Sequence, residues 1–277
     1  MSSKRLIHYG RVVVKIGTSS LIHPKTGKVN LLTIDRLAYT LSALNNQGVQ
    51  VLLVSSGAIG VGLDRMHMQK RPAAIAEQQA LAAIGQLELM NLYSQRFSDY
   101  GTQIGQLLLT HDTFDYPVSR QHVFDTIDAL LAKNVIPVIN ENDSVATDEM
   151  DHHTTFGDND QLAAIVATQV GADTLIVLSD IDGLYDRDPN KFSNAHLMTE
   201  VEHLSDKVLM GAGGSSTRFG TGGMVTKLRA AERMINSGGQ MVLASGADPR
   251  VILRILAGER IGTWFGENVL EAVISGN

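Results

Sequence analysis

Two lysines stand where an unpaired ammonium is costly. Lys15 closes the apolar run "RVVVKIG" (Arg11–Gly17), and Lys227 lies one turn inside a helix-patterned segment that follows the glycine-rich run "FGTGG". A buried strand rarely tolerates lysine unless its ammonium meets an anion. Gly17 would let the backbone approach that anion, although a lysine can also snorkel past the end of a sheet. Thr221, Gly222, Gly223, Met224, Val225 and Thr226 read as exposed amides running into a helix start, whose positive dipole end favours phosphate. The run is not G-x-x-x-x-G-K-[ST], and no strand is expected to lead directly into it, so a Walker-A loop fits poorly.

Polar residues cluster at three further points. "VSSGAIGVG" places Ser56 and Gly57 at the opening of a helix, where amides and hydroxyls suit an anionic or carbonyl group or simply make a tight turn. "NENDSVATDEM" and "FGDNDQLAA" put Asn140, Asn142, Asp143, Asp158, Asn159 and Asp160 on both sides of an expected hairpin, Ser144 to Gly157. One such residue suffices to cap the helix that starts near Asn159. The others can grip the ammonium and carboxylate of an amino acid or orient cationic side chains. His152 and His153, inside the hairpin, have no metal-ligand spacing and read as solvent-facing. "SDIDGLYDRDP" sets Ser179 and Asp180 at another strand end, facing a ribose or a metal-bound phosphate, or forming an Asx-rich turn.

The elements that must position these residues alternate. Nearly continuous apolar runs predict strands over Arg11–Gly17, Val49–Gly57, Thr102–Thr110, Asn134–Asn140, Asp173–Asp180 and Gly239–Gly246. Helical patterns fall at Leu32–Asn46, Pro72–Asp99, Pro117–Lys133, Asn159–Val170, Met224–Ser237 and Pro249–Ala257. This predicts an α/β fold with a mainly parallel sheet covered by helices on both sides. In such sheets ligands bind outside the carboxyl ends of the strands, and the polar clusters fall at those ends, as one composite site requires. The Gly- and Ser-rich region from Leu204 to Gly223 predicts a mobile loop.

Composition removes several chemistries. No cysteine is present among the 277 residues, which excludes disulfides, thiolate metal sites and cysteine nucleophiles. A net charge of −6 argues against a general nucleic-acid binder, though not against a nucleotide site. No stretch approaches the roughly 20 apolar residues of a membrane span, and no signal sequence is evident. A cytoplasmic protein with one domain over residues 1–277 is expected. A nicotinamide dehydrogenase is disfavoured because no strand–G-x-G-x-x-G–helix unit opens the chain.

The ordered set "VVVKIGTS", "VSSGAIGVG", "VINENDSV", "FGDND", "SDIDGLYDRDP" and "GTGGMVTKLRAA", spread over nearly the whole chain, resembles the amino acid kinase family. The resemblance implies a three-layer αβα sandwich around a roughly eight-stranded, mainly parallel sheet. The acceptor would lie over the N-terminal half and ATP over the C-terminal half. It implies that ATP, with Mg²⁺ held mainly by its phosphates, phosphorylates the γ-carboxylate of L-glutamate at the start of proline biosynthesis. Acetylglutamate, carbamate or uridylate are the alternative acceptors, and a non-catalytic amino-acid sensor is the alternative class. By similarity Lys15 and Lys227 flank the transferred phosphoryl group and Asp160 holds them. Ser56, Gly57, Asn140, Asp143, Asp158 and Asn159 contact glutamate. Lys15, Gly17, Ser179, Asp180 and the run Thr221–Lys227 contact ATP. It further implies a homo-oligomer, a dimer or tetramer, and admits proline as a feedback inhibitor. Two departures stand out: no C-terminal RNA-modification-enzyme-like (PUA) module follows, and the segment before "GDND" is a few residues longer than the family pattern.

Overall fold

The computed structural model describes residues 9–110, 112–146, 159–189, 191–204 and 223–266. Alternation along the strands builds its layers. On strand β1 (Arg11–Ile16), Val12, Val14 and Ile16 enter one apolar layer, while Val13 enters the other. The same two-residue period assigns Val51 and Leu53 of β2 (Gln50–Ser55) to the first layer and Leu52 and Val54 to the second. Strands buried on both faces in this way need helices on both sides.

The remaining strands are β3 (Ile104–Leu109), β4 (Ile136–Glu141), β5 (Thr174–Ser179), β6 (Leu184–Tyr185), β7 (Leu197–Met198), β8 (Glu200–Val201), β9 (Gln240–Ser245) and β10 (Thr263–Phe265). Eight of them form one sheet in the order β3-β4-β2-β1-β5-β9-β10-β8, parallel except where β10 runs against β9. β6 and β7 make a separate antiparallel pair. Nine helices occur among the described residues: α1 (Thr18–Leu21), α2 (Leu31–Asn46), α3 (Ala58–Arg65), α4 (Ile75–Asp99), α5 (Asp112–Asp115), α6 (Pro117–Leu131), α7 (Asn159–Gln169), α8 (Met224–Asn236) and α9 (Val251–Leu256). Helices α6, α7 and α8 cover one face of the sheet; α2, α4 and α9 cover the other.

The αβα sandwich expected from the sequence is the fold observed. All six expected strands form; five are one to three residues shorter than expected, and β4 begins two residues later than expected and runs one further, to Glu141. The chain near "GTWF" adds the antiparallel strand β10, too short at three residues to show a period of its own. The segment expected as one helix from Pro72 starts at Ile75, and α3 precedes it as a separate helix. Of the expected hairpin, residues 144–146 are described and the rest, with His152, His153 and Asp158, lies outside the described residues. So do Thr221, Gly222 and most of the expected loop from Leu204 to Gly223. No helix among the described residues is long and apolar enough to cross a membrane.

Helices α3 and α4 meet backbone to backbone. A Cβ built on Gly85 would stand 1.8 Å from the Ala58 carbonyl oxygen, and one on Gly62 would stand 2.1 Å from that of Leu81. Only glycine fits at either place. Their contact holds α4 against the opening turn of α3, which follows directly from the carboxyl end of β2. Gly85→Ala forces these backbones apart and is expected to destabilise the fold by about 3 kcal/mol, in the range of overpacked cores. Chemical denaturation of the two proteins measures it; an unchanged midpoint would refute the close contact.

Candidate active site

The chain reverses its direction of travel across the sheet beside β1. From β1 it moves to β2 on one side; from β4 it crosses through α7 to β5 on the other. A crevice opens outside the carboxyl ends at such a switch point. Lys15 is the fifth residue of β1, and with Val13 it faces the α7 side of the sheet. Asp160 is the second residue of α7, and Lys227 the fourth of α8. α7 packs across β1 and alongside α8. The Gln161 side-chain amide donates to the Thr226 carbonyl at 2.8 Å, which pins the two helix starts together.

These elements bring three charges to one point. Lys15 Nζ lies 2.6 Å from Asp160 Oδ1, and Lys227 Nζ lies 3.0 Å from Asp160 Oδ2. Relative exposures are 5% for Lys15, 0% for Asp160 and 8% for Lys227, so little water screens the cluster. Burial alone would raise the Asp160 pKa, but the ammoniums of Lys15 and Lys227 outweigh it and hold the carboxyl below its ordinary value. One carboxylate between two ammoniums leaves these three residues with one net positive charge. A carboxylate in the first turn of α7 is also favoured by the helix dipole. Lys227 Nζ further donates to the Gly223 carbonyl at 3.3 Å, and Thr226 Oγ1 donates to the same oxygen at 2.9 Å. Gly223 itself has φ +81°, a conformation that favours glycine at this helix start.

The lysine pair borders a cleft of about 500 Å³, within the range of small-molecule sites. On one side lie Gly17, Ser179 and Asp180; on the other lie Ser56, Gly57, Asp143 and Asn159. Ser179 Oγ donates to Asp180 Oδ1 at 2.9 Å. A Cβ on Gly17 would stand 3.7 Å from Lys15 Nζ, in ordinary contact with that ammonium. An oxyanion fits there, between two lysines and the starts of α3, α7 and α8. Met224 packs partly into the core at the start of α8, with Val225 half-buried beside it.

Asn140 takes a different place from the other acceptor-side residues. It is 2% exposed and stands behind Asn159, accepting from Asn159 Nδ2 at 3.1 Å. The same Nδ2 reaches Ser55 O at 3.0 Å and Ser56 Oγ at 2.8 Å. Sequence reasoning did not single out the two side chains of α4 that complete this buried network. Gln86 Oε1 accepts from Asn140 Nδ2 at 2.8 Å, and Tyr93 OH meets Ser55 Oγ at 2.9 Å. Burial pushes the Tyr93 phenol far up, so it stays a neutral hydroxyl. Gln86 and Tyr93 lie seven residues apart on one helix face, a spacing visible in the sequence, but glutamine on a buried stripe gives no warning of its partner. Arg71 also lines the cleft, with its Nε donating to Gln78 Oε1 at 2.7 Å.

Residues 10–245 match the model of the amino acid kinase family. The chain is 59% identical to a glutamate 5-kinase of Lactiplantibacillus plantarum over 92% of its own length and 96% of the relative's. It is 55% identical to a glutamate 5-kinase of Ligilactobacillus salivarius over 96% of its length and 99% of the relative's. Among solved structures it is similar to the isopentenyl phosphate kinase of T. acidophilum, with a TM-score of 0.61 at 15% identity, covering 92% of this chain and 99% of that one. The UMP kinase of Bacillus anthracis gives a TM-score of 0.60 at 15% identity, with 92% and 95% covered. At that identity these two structures speak for the fold alone.

Asp160→Asn leaves two buried ammoniums facing a neutral amide and is expected to cost about 3–5 kcal/mol of stability at neutral pH. A carboxyl whose folded pKa is depressed stabilises the fold above its unfolded value and loses that contribution as pH falls toward the folded one. The stability gap between the two proteins should therefore hold constant above pH 5 and narrow below the ordinary Asp value of 3.8. Denaturation curves from pH 3 to 8 test this; a gap that widened on acidification would contradict the pairing.

Proposed function

We propose that this chain, which belongs to the amino acid kinase family, transfers the γ-phosphoryl group of ATP to the γ-carboxylate of L-glutamate, as a glutamate 5-kinase. The observation that carries this reading is the buried Lys15–Asp160–Lys227 bridge at the switch point of the sheet, with a polar acceptor pocket on one side of it. The glutamate 5-kinases that match most of this chain supply the acceptor's identity.

The step needs no general base, because a carboxylate is already ionised at neutral pH. One γ-carboxylate oxygen of glutamate forms a bond to the γ-phosphorus, and the bond from that phosphorus to the oxygen it shares with the β-phosphate breaks. The products are γ-glutamyl phosphate and ADP; no proton is left over. The obstacle is the approach of an anion to a polyanion. Lys15 and Lys227, fixed by one carboxylate, put positive charge around the transferred group before the substrates arrive, so little reorganisation is needed in the transition state. Gly17, Ser179, Asp180 and Lys227 border the nucleotide side, and the family resemblance assigns the run Thr221–Thr226 to ATP as well. Mg²⁺, when bound with ATP, neutralises phosphate oxygens, and Asp180 is the carboxylate that borders the cleft there. Among the described residues no group of three acidic or histidine side chains is placed to hold a metal unaided.

Ser56, Gly57, Asp143, Asp158 and Asn159 hold the amino-acid end of glutamate. The Ser56 hydroxyl, the start of α3 and Arg71 offer donors to its α-carboxylate, while Asp143 offers an acceptor to its ammonium.

Lys15→Met and Lys227→Met should each lower kcat by roughly 10²–10³-fold, the scale for one preorganised transition-state contact. The assay couples ADP release to hydroxylamine trapping of the acyl phosphate, run with glutamate, N-acetylglutamate, carbamate and uridylate. Hydroxamate from glutamate is the expected product. Turnover of another acceptor in its place, or near-normal rates in both lysine variants, would defeat the reading.

A further inference from the structure

The turn that carries Asp180 is fastened differently at its two ends. It runs from Ser179, the last residue of β5, to Leu184, the first of β6. The sheet holds the first end: Ser179 pairs with Ser245 of β9, and its carbonyl accepts from the Gly246 N–H at 2.7 Å. No such ladder holds the second end, because β6 and β7 form a pair of their own outside the eight-stranded sheet. A side chain makes the joint there. Thr263, at the start of β10, is fully buried and paired with Leu243 of β9. Its Oγ1 accepts from the Leu184 N–H at 2.7 Å and donates to the Met198 carbonyl at 2.6 Å. One hydroxyl thus gives its proton to β7 and a lone pair to β6, a double task that needs both a donor and an acceptor on one atom.

The turn is shaped to reach that hydroxyl. A Cβ on Gly183 would stand 2.6 Å from Thr263 Oγ1 and 2.7 Å from Leu197 Cδ1, so only glycine lets the chain come this close. Residues 180–183 span the gap between the two fastened ends. Ile181 packs against the core in the middle of the span, but apolar contact is non-directional. Ser179 and Asp180 border the cleft, and the Ser179 hydroxyl donates to the Asp180 carboxylate. Without the Thr263 hydroxyl, the Leu184 N–H and the Met198 carbonyl each lose a partner, and Asp180 is fastened from one side only.

We propose that Thr263 is a positioning residue for the nucleotide: through the Leu184 N–H it holds the Asp180 turn against the cleft, although it does not line the cleft itself. This rests on the reading of the Ser179–Asp180 side as the ATP side and extends it to a residue near the far edge of the sheet. Lys15, Asp160 and Lys227 stand on β1, α7 and α8, which the Thr263 hydroxyl does not bond. ATP affinity therefore depends on Thr263, while the acceptor side and the lysine bridge do not.

Thr263→Val keeps the side-chain shape and removes the hydroxyl. Its KM for ATP, and its Kd for ATP by calorimetric titration, should rise roughly tenfold, the scale of one contact to a charged group. Its kcat and KM for glutamate should stay within about twofold of wild type, as when uniform binding is lost. Thr263→Ser keeps the hydroxyl and should restore ATP affinity. Gly183→Ala pushes the turn off the hydroxyl from the other side and should raise the same constants, so the test survives a Thr263→Val that does not fold. Equal rises in the two KM values, unchanged ATP affinity in folded Thr263→Val or Gly183→Ala, or no recovery in Thr263→Ser would overturn the proposal. Wild type gives a further reading without any variant. Coupling is reciprocal, so saturating ATP should slow hydrogen exchange of the Leu184 amide by about the same tenfold; an unchanged rate overturns it too. Wild type that binds ATP yet forms no glutamate hydroxamate fails the kinase reading and leaves this one standing. Wild-type turnover with ATP affinity untouched by the variants does the reverse.

Discussion

Two lysines sharing one buried carboxylate set the terms for the rest of the molecule. Each ammonium would be costly alone at 5–8% exposure, and Asp160 would be costlier still. Together they are tolerable only while each ammonium stays within hydrogen-bond distance of the carboxylate. That requirement explains why the three residues come from a central strand and two adjoining helices rather than from loops. It also explains the side-chain bond from Gln161 to the first turn of α8, which stops the two helix starts from sliding past each other. Catalytic charge in this protein is a packing problem before it is a chemical one.

The acceptor side solves a different problem by different means. It carries few charges and relies on the direction of hydrogen bonds. Side-chain amides have no fixed polarity, so the structure borrows it from the backbone at Glu141 and Ser55 and passes it along Asn140, Asn159 and Gln86. Helix α4 is the support for this arrangement, and the glycine contact with α3 fixes how near α4 can come.

Much of this was legible in the sequence, and what was not has definite causes. Continuous apolar runs marked the strands because both faces of the sheet are covered. Lys15 was conspicuous because lysine is out of place in such a run. Asp160 and Asn159 stood in a dense polar cluster, and their separate tasks could be assigned only by resemblance. Gln86 and Tyr93 were invisible: they occupy core-facing positions on a long helix, and nothing local tells a buried glutamine with a partner from one at the surface. β10 was missed because three residues cannot display a period, and its reversal is decided by the sheet edge it joins. Asn140 looked like its neighbours in "NEND", yet strand alternation turned it inward.

The order in which the bridged charges are made has its own consequence. Lys15 and Lys227 are 212 residues apart (227 − 15). At roughly 5–20 residues per second, a ribosome would need about 10–40 s to make the second after the first. Asp160 emerges in between, so β1 cannot bury its lysine at once without stranding an ammonium. The ion pair that makes burial of Lys15 tolerable is complete only once α7 has docked on β1. A site whose charges lie 212 residues apart thus ties the burial of its first strand to the arrival of much later elements.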